Sequence, residues 1–188
     1  VDLGRNSQLY LAWSDKELIG RDGVHRSSHH ALQATGRFGI DDVSWIAVDG
    51  GYSSTGAIAG DRLHGGRVGI GGARDERLQG FGGNASLSSP DHRSENGFLT
   101  RPDLASMHAW VRKRFEWSGG QVPWVEFGGN GTQTWEGFDP KDAVERAGAN
   151  LNGWFNVRLP GITDLRTSAT AWDATFAGQE FDGGTLVF

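Results

Sequence analysis

Cysteine is absent from this chain, which excludes disulfides, thiolate metal sites and cysteine nucleophiles. Lysine is nearly absent too. Only Lys16, Lys113 and Lys141 stand among the 18 basic residues, and the rest are arginine, a bias that fits a GC-rich coding sequence better than a set of arginine contacts. No apolar run approaches the roughly 18 residues of a membrane-spanning helix, so no membrane span is read. No signal peptide is read either; a start at Val1 fits removal of an initiator or cleavage of a precursor. Positive charge is not in excess: a net charge of −5 and a pI near 5.6 exclude nucleic acid as the main partner. The five prolines are scattered and mark no linker, so residues 1–188 are read as a single domain.

What the chain has in quantity is glycine, 30 residues, and tryptophan, eight. They recur together: Trp45 with Gly50-Gly51, Trp117 with Gly119-Gly120, Trp124 with Gly128-Gly129, and Trp154 after Gly153. An aromatic on a short apolar run closed by glycine reads as a strand entering a tight turn. The fold expected is mainly β, a sandwich or jelly-roll-like body with one or two short helices. Strands are expected at Gln8–Trp13, Asp42–Val48, Gly153–Leu159, Thr167–Phe176 and Gly184–Phe188. Trp45, alternating with its neighbours, is expected to be buried. Residues 20–31 read as irregular, and Gly56–Gly83 as short strands on long glycine-permitted loops. One helix is expected from Asp103 through Leu104, Met107, Val111 and Phe115, with a strand as the alternative because Trp110, Arg112 and Arg114 alternate with smaller or apolar neighbours. A second runs from Asp139 and Pro140 through Val144, Ala147 and Leu151. Phe81–Asn84 and Phe127–Asn130 match over four residues, which reads as a coincidence of composition.

Candidate chemistry is sparse. His25, His29 and His30 are weak metal candidates, since glycine and serine around them disfavour the helix that would align two ligands four apart. No cofactor is expected. Glu126 and Glu136, beside Trp124 and Trp135, offer the elements of a polysaccharide hydrolase: two carboxyls that must lie about 5–10 Å apart, and aromatic platforms for sugar rings. Glycine-rich 65–72 lacks the ending of a phosphate-binding loop. The leading expectation is a non-catalytic structural or binding module, of virion or extracellular-surface type. It would meet copies of itself, a partner protein or a glycan through Trp124, Trp135 and the arginines Arg74 and Arg77 of an exposed 56–83 segment. The glycan-active enzyme is the alternative.

Overall fold

The computed structural model describes residues 2–4, 6–19, 25–57, 62–92, 103–137, 145–159, 163–176 and 179–188. Among these there is no helix. The elements are β1 (Asp2–Gly4), β2 (Ser7–Ile19), β3 (His25–Gly39), β4 (Ser44–Ala57), β5 (Leu63–Asp75), β6 (Gln79–Ser88), β7 (Leu104–Glu116), β8 (Trp124–Glu136), β9 (Glu145–Leu159), β10 (Thr163–Phe176) and β11 (Gln179–Val187). They form one antiparallel sheet whose spatial order is the order of the chain. Among the described residues there is one sheet and no second layer across it, so they do not form the paired sheets of a sandwich or jelly roll. The coarser expectation, a β-rich domain, is met.

Neither expected helix forms. Residues 104–116 are β7, and Asp103, expected as an N-cap, has a left-handed φ of 63° instead of the extended conformation of a cap. Of the second expected helix, residues 139–144 lie outside the described residues, and Ala147 and Leu151 belong to strand β9. The segment 56–83 is not a set of short strands: it carries all of β5 and half of β6. The glycines explain the misreading. Gly50, Gly51, Gly82, Gly128 and Gly153 sit in mid-strand, and among the described glycines only Gly119 and Gly137 have positive φ.

Mid-strand glycine here serves aromatic rings on the neighbouring strand. A Cβ on Gly82 would stand 2.8 Å from Trp110 Nε1, one on Gly128 2.4 Å from Trp154 Cζ2, and one on Gly183 2.6 Å from Trp172 Cζ2. Each indole lies flat across a bare stretch of backbone on the adjacent strand. Trp45 is half-buried beneath the Arg37 guanidinium, 4.4 Å from its ring centroid.

Directly opposed residues share a face of the sheet, so the register divides the chain into two surfaces. One carries Leu9, Leu11 and Trp13 on β2, Val68 and Ile70 on β5, Met107 and Val111 on β7, and Phe155 and Val157 on β9. The other carries Gln33, Asp49, Arg67, Arg112, Arg114, Glu126 and Asn156. Charged and polar side chains are buried on the polar face while large apolar ones are exposed on the other. Glu126 is 8% exposed and Ser53 fully buried on the polar side, whereas Leu11 is 71% exposed on the other. The only buried hydrophobic residues among those described are Ala31, Ala105, Ala147 and Val157. A conventional apolar core is therefore missing from the described residues.

Candidate functional site

The polar face is sewn together at one end. Arg114 on β7 stands directly opposite Glu126 on β8, and its Nη2 donates to Glu126 Oε2 at 2.8 Å. Arg112 Nη1 donates to the same oxygen at 3.2 Å, and Asn156 Nδ2 reaches Oε1 at 3.4 Å from β9. Burial alone would raise the Glu126 pKa. The Arg114 hydrogen bond and charge, with the Asn156 and Arg112 hydrogen bonds, outweigh it and hold the carboxyl below its ordinary value. Arg112 continues to Asp75 on β5, and Arg158 on β9 pairs with Asp164 on β10 through two 2.7 Å hydrogen bonds. Trp124 lies between Arg114 and Arg158, 4.6 and 5.5 Å from its ring centroid.

The residues singled out from sequence are dispersed by this geometry. Glu126 and Glu136 lie on the same strand, ten residues apart, hence separated by about 33 Å at ~3.3 Å per residue. That is far beyond the separation glycosidic chemistry needs. Trp124 is on the polar face and Trp135, directly opposite Ala105, on the apolar one. Arg74 pairs with Asp41 and Glu76, and Arg77 with Glu116, all around the strand connections at one end of the sheet. His29 bonds Thr55 Oγ1 on the polar face at 2.7 Å, while His30 bonds Asp15 on the apolar face at 2.9 Å. Neighbours on opposite faces cannot share an ion; the side chain of His25 lies outside the described residues.

At the other end of the polar face the chain folds back on itself. Ser89 and Gly66 exchange hydrogen bonds, Ser89 N to Gly66 O at 2.9 Å and Gly66 N to Ser89 Oγ at 2.8 Å. The following turn then presses onto β5, since a Cβ on Gly65 would fall 2.0 Å from His92 N. His92 is buried over Ser53, beside a cavity of about 60 Å³ whose lining includes Gln33, Asp49 and Arg67. Sequence reading passed over this strap because neither its serine nor its histidine belongs to a motif.

The apolar face carries the most informative pattern. Opposed residues form rows at right angles to the strands. The row Leu11–Ala34–Gly50–Val68–Leu87–Ala105–Trp135 is apolar from β2 to β8. Six residues further along, the row Ser44–Arg74–Phe81–Val111–Gly129–Gly153–Ala169–Leu186 is polar on β4 and β5 and apolar from β6 to β11. Between them, Val48–Ile70–Ala85–Met107 ends in Gln133–Ala149–Asp173–Asp182. The apolar band thus slides about six residues, ~20 Å, over nine interstrand steps of ~4.8 Å each, a slope of roughly 25°. Within it no charged residue occurs. Charges on this face stand beyond its limits: Arg74 and Lys113 on one side, Asp15, Asp173 and Asp182 on the other. Aromatics mark both margins, Trp13, Tyr52 and Trp135 on one, Phe38, Phe81 and Phe127 on the other, while Phe115 stands beyond Lys113 on β7.

Ten strands side by side make this band about 48 Å wide and ~20 Å tall, on the order of 1,000 Å². The largest apolar patch on a typical soluble monomer is roughly 300–600 Å². The connections at the two ends also differ. They span 40–43, 76–78, 117–123 and 160–162 at one end, and 20–24, 58–62, 89–103, 137–144 and 177–178 at the other. No helix of the described residues is long and apolar enough to cross a membrane, which leaves strands untouched by that criterion. No family model, curated protein or solved structure matches the chain.

Proposed function

We propose that this chain forms the wall of a transmembrane β-barrel of the outer-membrane type, its apolar face against lipid acyl chains and its polar face lining an aqueous lumen. The observation that carries the reading is the charge-free band that slides across the rows. A bilayer is a flat slab, and strands inclined to its normal meet it at a level that shifts from one strand to the next. A protein partner would impose no such constant drift over the whole width of a sheet.

Further features support it. Strands of 9 to 15 residues match the 9–11 that a tilted crossing requires, with some left over for the rims. Aromatic girdles flank the band, and one end has mostly short turns while the other has most of the longer loops. A membrane also demands that backbone edges be paired. Among the described residues β1 and β11 are the sheet's two edges and β1 pairs the start of β2; nine reversals separate β2 from β11, so under this reading the two would close in an antiparallel ladder beyond β1. The expectation of a structural module is kept under this reading, but lipid replaces the partner chain or glycan.

The test uses single-tryptophan variants refolded into vesicles with brominated acyl chains. Trp13 and Trp135 fluorescence is strongly quenched, and that of Trp110 and Trp154, on the polar face, is not. A chain that folds to the same strand content in detergent-free buffer and leaves all four unquenched refutes the reading.

A further inference from the structure

Beyond the loop-side margin of the apolar band lies the row Asp15–His30–Ser54–His64, across β2 to β5. Its composition is unlike that of a plain polar rim. Asp15 Oδ1 accepts the His30 Nδ1 hydrogen bond at 2.9 Å. With Nδ1 engaged by Asp15, Nε2 is the ring nitrogen that can act as a base. Ser54 stands directly across from His30 on β4, its hydroxyl held by Arg62 in this structure. Opposed residues have Cβ atoms about 4.5–5.5 Å apart, within reach of a hydroxyl and an imidazole.

A cation completes the group. Arg62 Nη1 donates to Ser54 Oγ at 3.4 Å and Nη2 to Ser28 Oγ at 3.2 Å. The arginine reaches them by lying across Gly56, where a Cβ would stand 2.9 Å from its Cγ. Ser54 is 5% exposed under this cover. His64, on the far side of Ser54, is occupied by the Tyr52 hydroxyl at 2.6 Å, which leaves His30 as the histidine oriented by a carboxylate.

We propose that Ser54, His30 and Asp15 form a serine hydrolase centre for the carboxylic esters of long-chain membrane lipids, with Arg62 stabilising the oxyanion. This rests on the membrane reading, which sets the row just outside the hydrocarbon, where acyl esters lie. His30 Nε2 takes the Ser54 proton as Oγ attacks the ester carbonyl carbon, and the negative charge develops on the carbonyl oxygen beside Arg62. The carbon–oxygen bond to the lipid alcohol then breaks, and His30 returns the proton to that alcohol. Water, deprotonated by His30, attacks the acyl-serine; the fatty acid leaves and Ser54 recovers its proton. Asp15 holds the imidazole tautomer throughout. The apolar band beside Trp13 receives the acyl chain.

The experiment uses the whole chain refolded in detergent micelles, with insertion judged by heat-modifiable gel mobility. A long-chain fluorophosphonate forms an adduct that maps to Ser54 and is lost in His30→Ala. Hydrolysis of p-nitrophenyl palmitate falls by about 10³-fold or more in Ser54→Ala and His30→Ala, and by roughly 10²–10⁴-fold in Asp15→Asn. Vesicles of phosphatidylethanolamine and vesicles containing lipopolysaccharide separate the two lipid sources by which one releases fatty acid. An inserted wild-type chain with no adduct and no hydrolysis above Ser54→Ala overturns the hydrolase and leaves the membrane reading standing. A Ser54 adduct on a chain that folds without detergent supports the hydrolase and removes the membrane. Cleavage of short soluble esters alone overturns the lipid assignment.

Discussion

Ile70→Arg separates a lipid-facing sheet from a water-facing one. Ile70 is 58% exposed, opposed by Val48 and Ala85, and lies between Arg74 and His64 on the same strand and face, near the middle of the band. Were this face in water, arginine would replace an already exposed side chain, and the change would stay within about 0.5 kcal/mol. Against acyl chains the guanidinium must be carried into hydrocarbon, at a cost of roughly 2–4 kcal/mol at the midplane and ~0–1 near the interface. The folding equilibrium then shifts by about 30- to 700-fold. Tyr52→Arg, at the margin of the same face, is the matched control. Urea titrations of both variants in vesicles, followed by tryptophan emission, should show Ile70→Arg weaker than Tyr52→Arg by at least ~1 kcal/mol. Equal midpoints and slopes for the two variants and the wild type would refute the argument.

Glu126→Gln leaves Arg112 and Arg114 without their shared carboxylate and should cost on the order of 2–3 kcal/mol in the same titration. Because its pKa is lowered in the folded state, the Glu126 contribution is complete above the unfolded value of about 4.5 and is lost as pH falls through the depressed folded value; the Gln variant should lack that part of the acid limb. Gly65→Ala puts a methyl where His92 N now lies, so amide exchange at Ser89 and His92 should accelerate while exchange in the middle of β8 stays unchanged. EDTA should leave the melting temperature unaltered, since His29 and His30 face opposite ways; a drop of several degrees restored by zinc would contradict that assignment.

The strands were legible where alternation was sharp and hidden where glycine interrupted it. Asp42–Val48 and Thr167–Phe176 overlap β4 and β10 because β-branched and aromatic residues alternate there. The 103–115 segment was misread because a spacing of four is also a multiple of two: Met107, Val111 and Phe115 fit a helix face and a strand face alike. The arbiter was the intervening set. Ser106, His108, Trp110, Arg112 and Arg114 are polar or amphipathic at every second position, which only a strand explains. The Phe81–Asn84 match with Phe127–Asn130 is likewise more than composition. In both, the phenylalanine marks a margin of the apolar face and the next glycine lies under an indole of the following strand, Trp110 or Trp154.

The candidate site was illegible for a different reason: its parts come from distant segments, and only register joins them. Asp15, His30 and Ser54 have no common motif, and the row exists because each hairpin fixes which residue faces which. Parity carries the same logic to the whole molecule. A one-residue slip in a strand exchanges its two faces, so the choice of which side is apolar is as deliberate as a core. Turned the other way, the same meander would enclose Leu, Val and Phe and show Arg and Glu to water, the arrangement of a soluble barrel. Here Arg112, Arg114 and Glu126 share the polar face, satisfied by one another, and Leu11, Ile70 and Leu151 share the exposed apolar one. Such an inversion gains nothing in water, where the exposed band would favour aggregation. In hydrocarbon, as proposed, it would become the stabilising arrangement, because lipid would supply the apolar partner that the described residues do not.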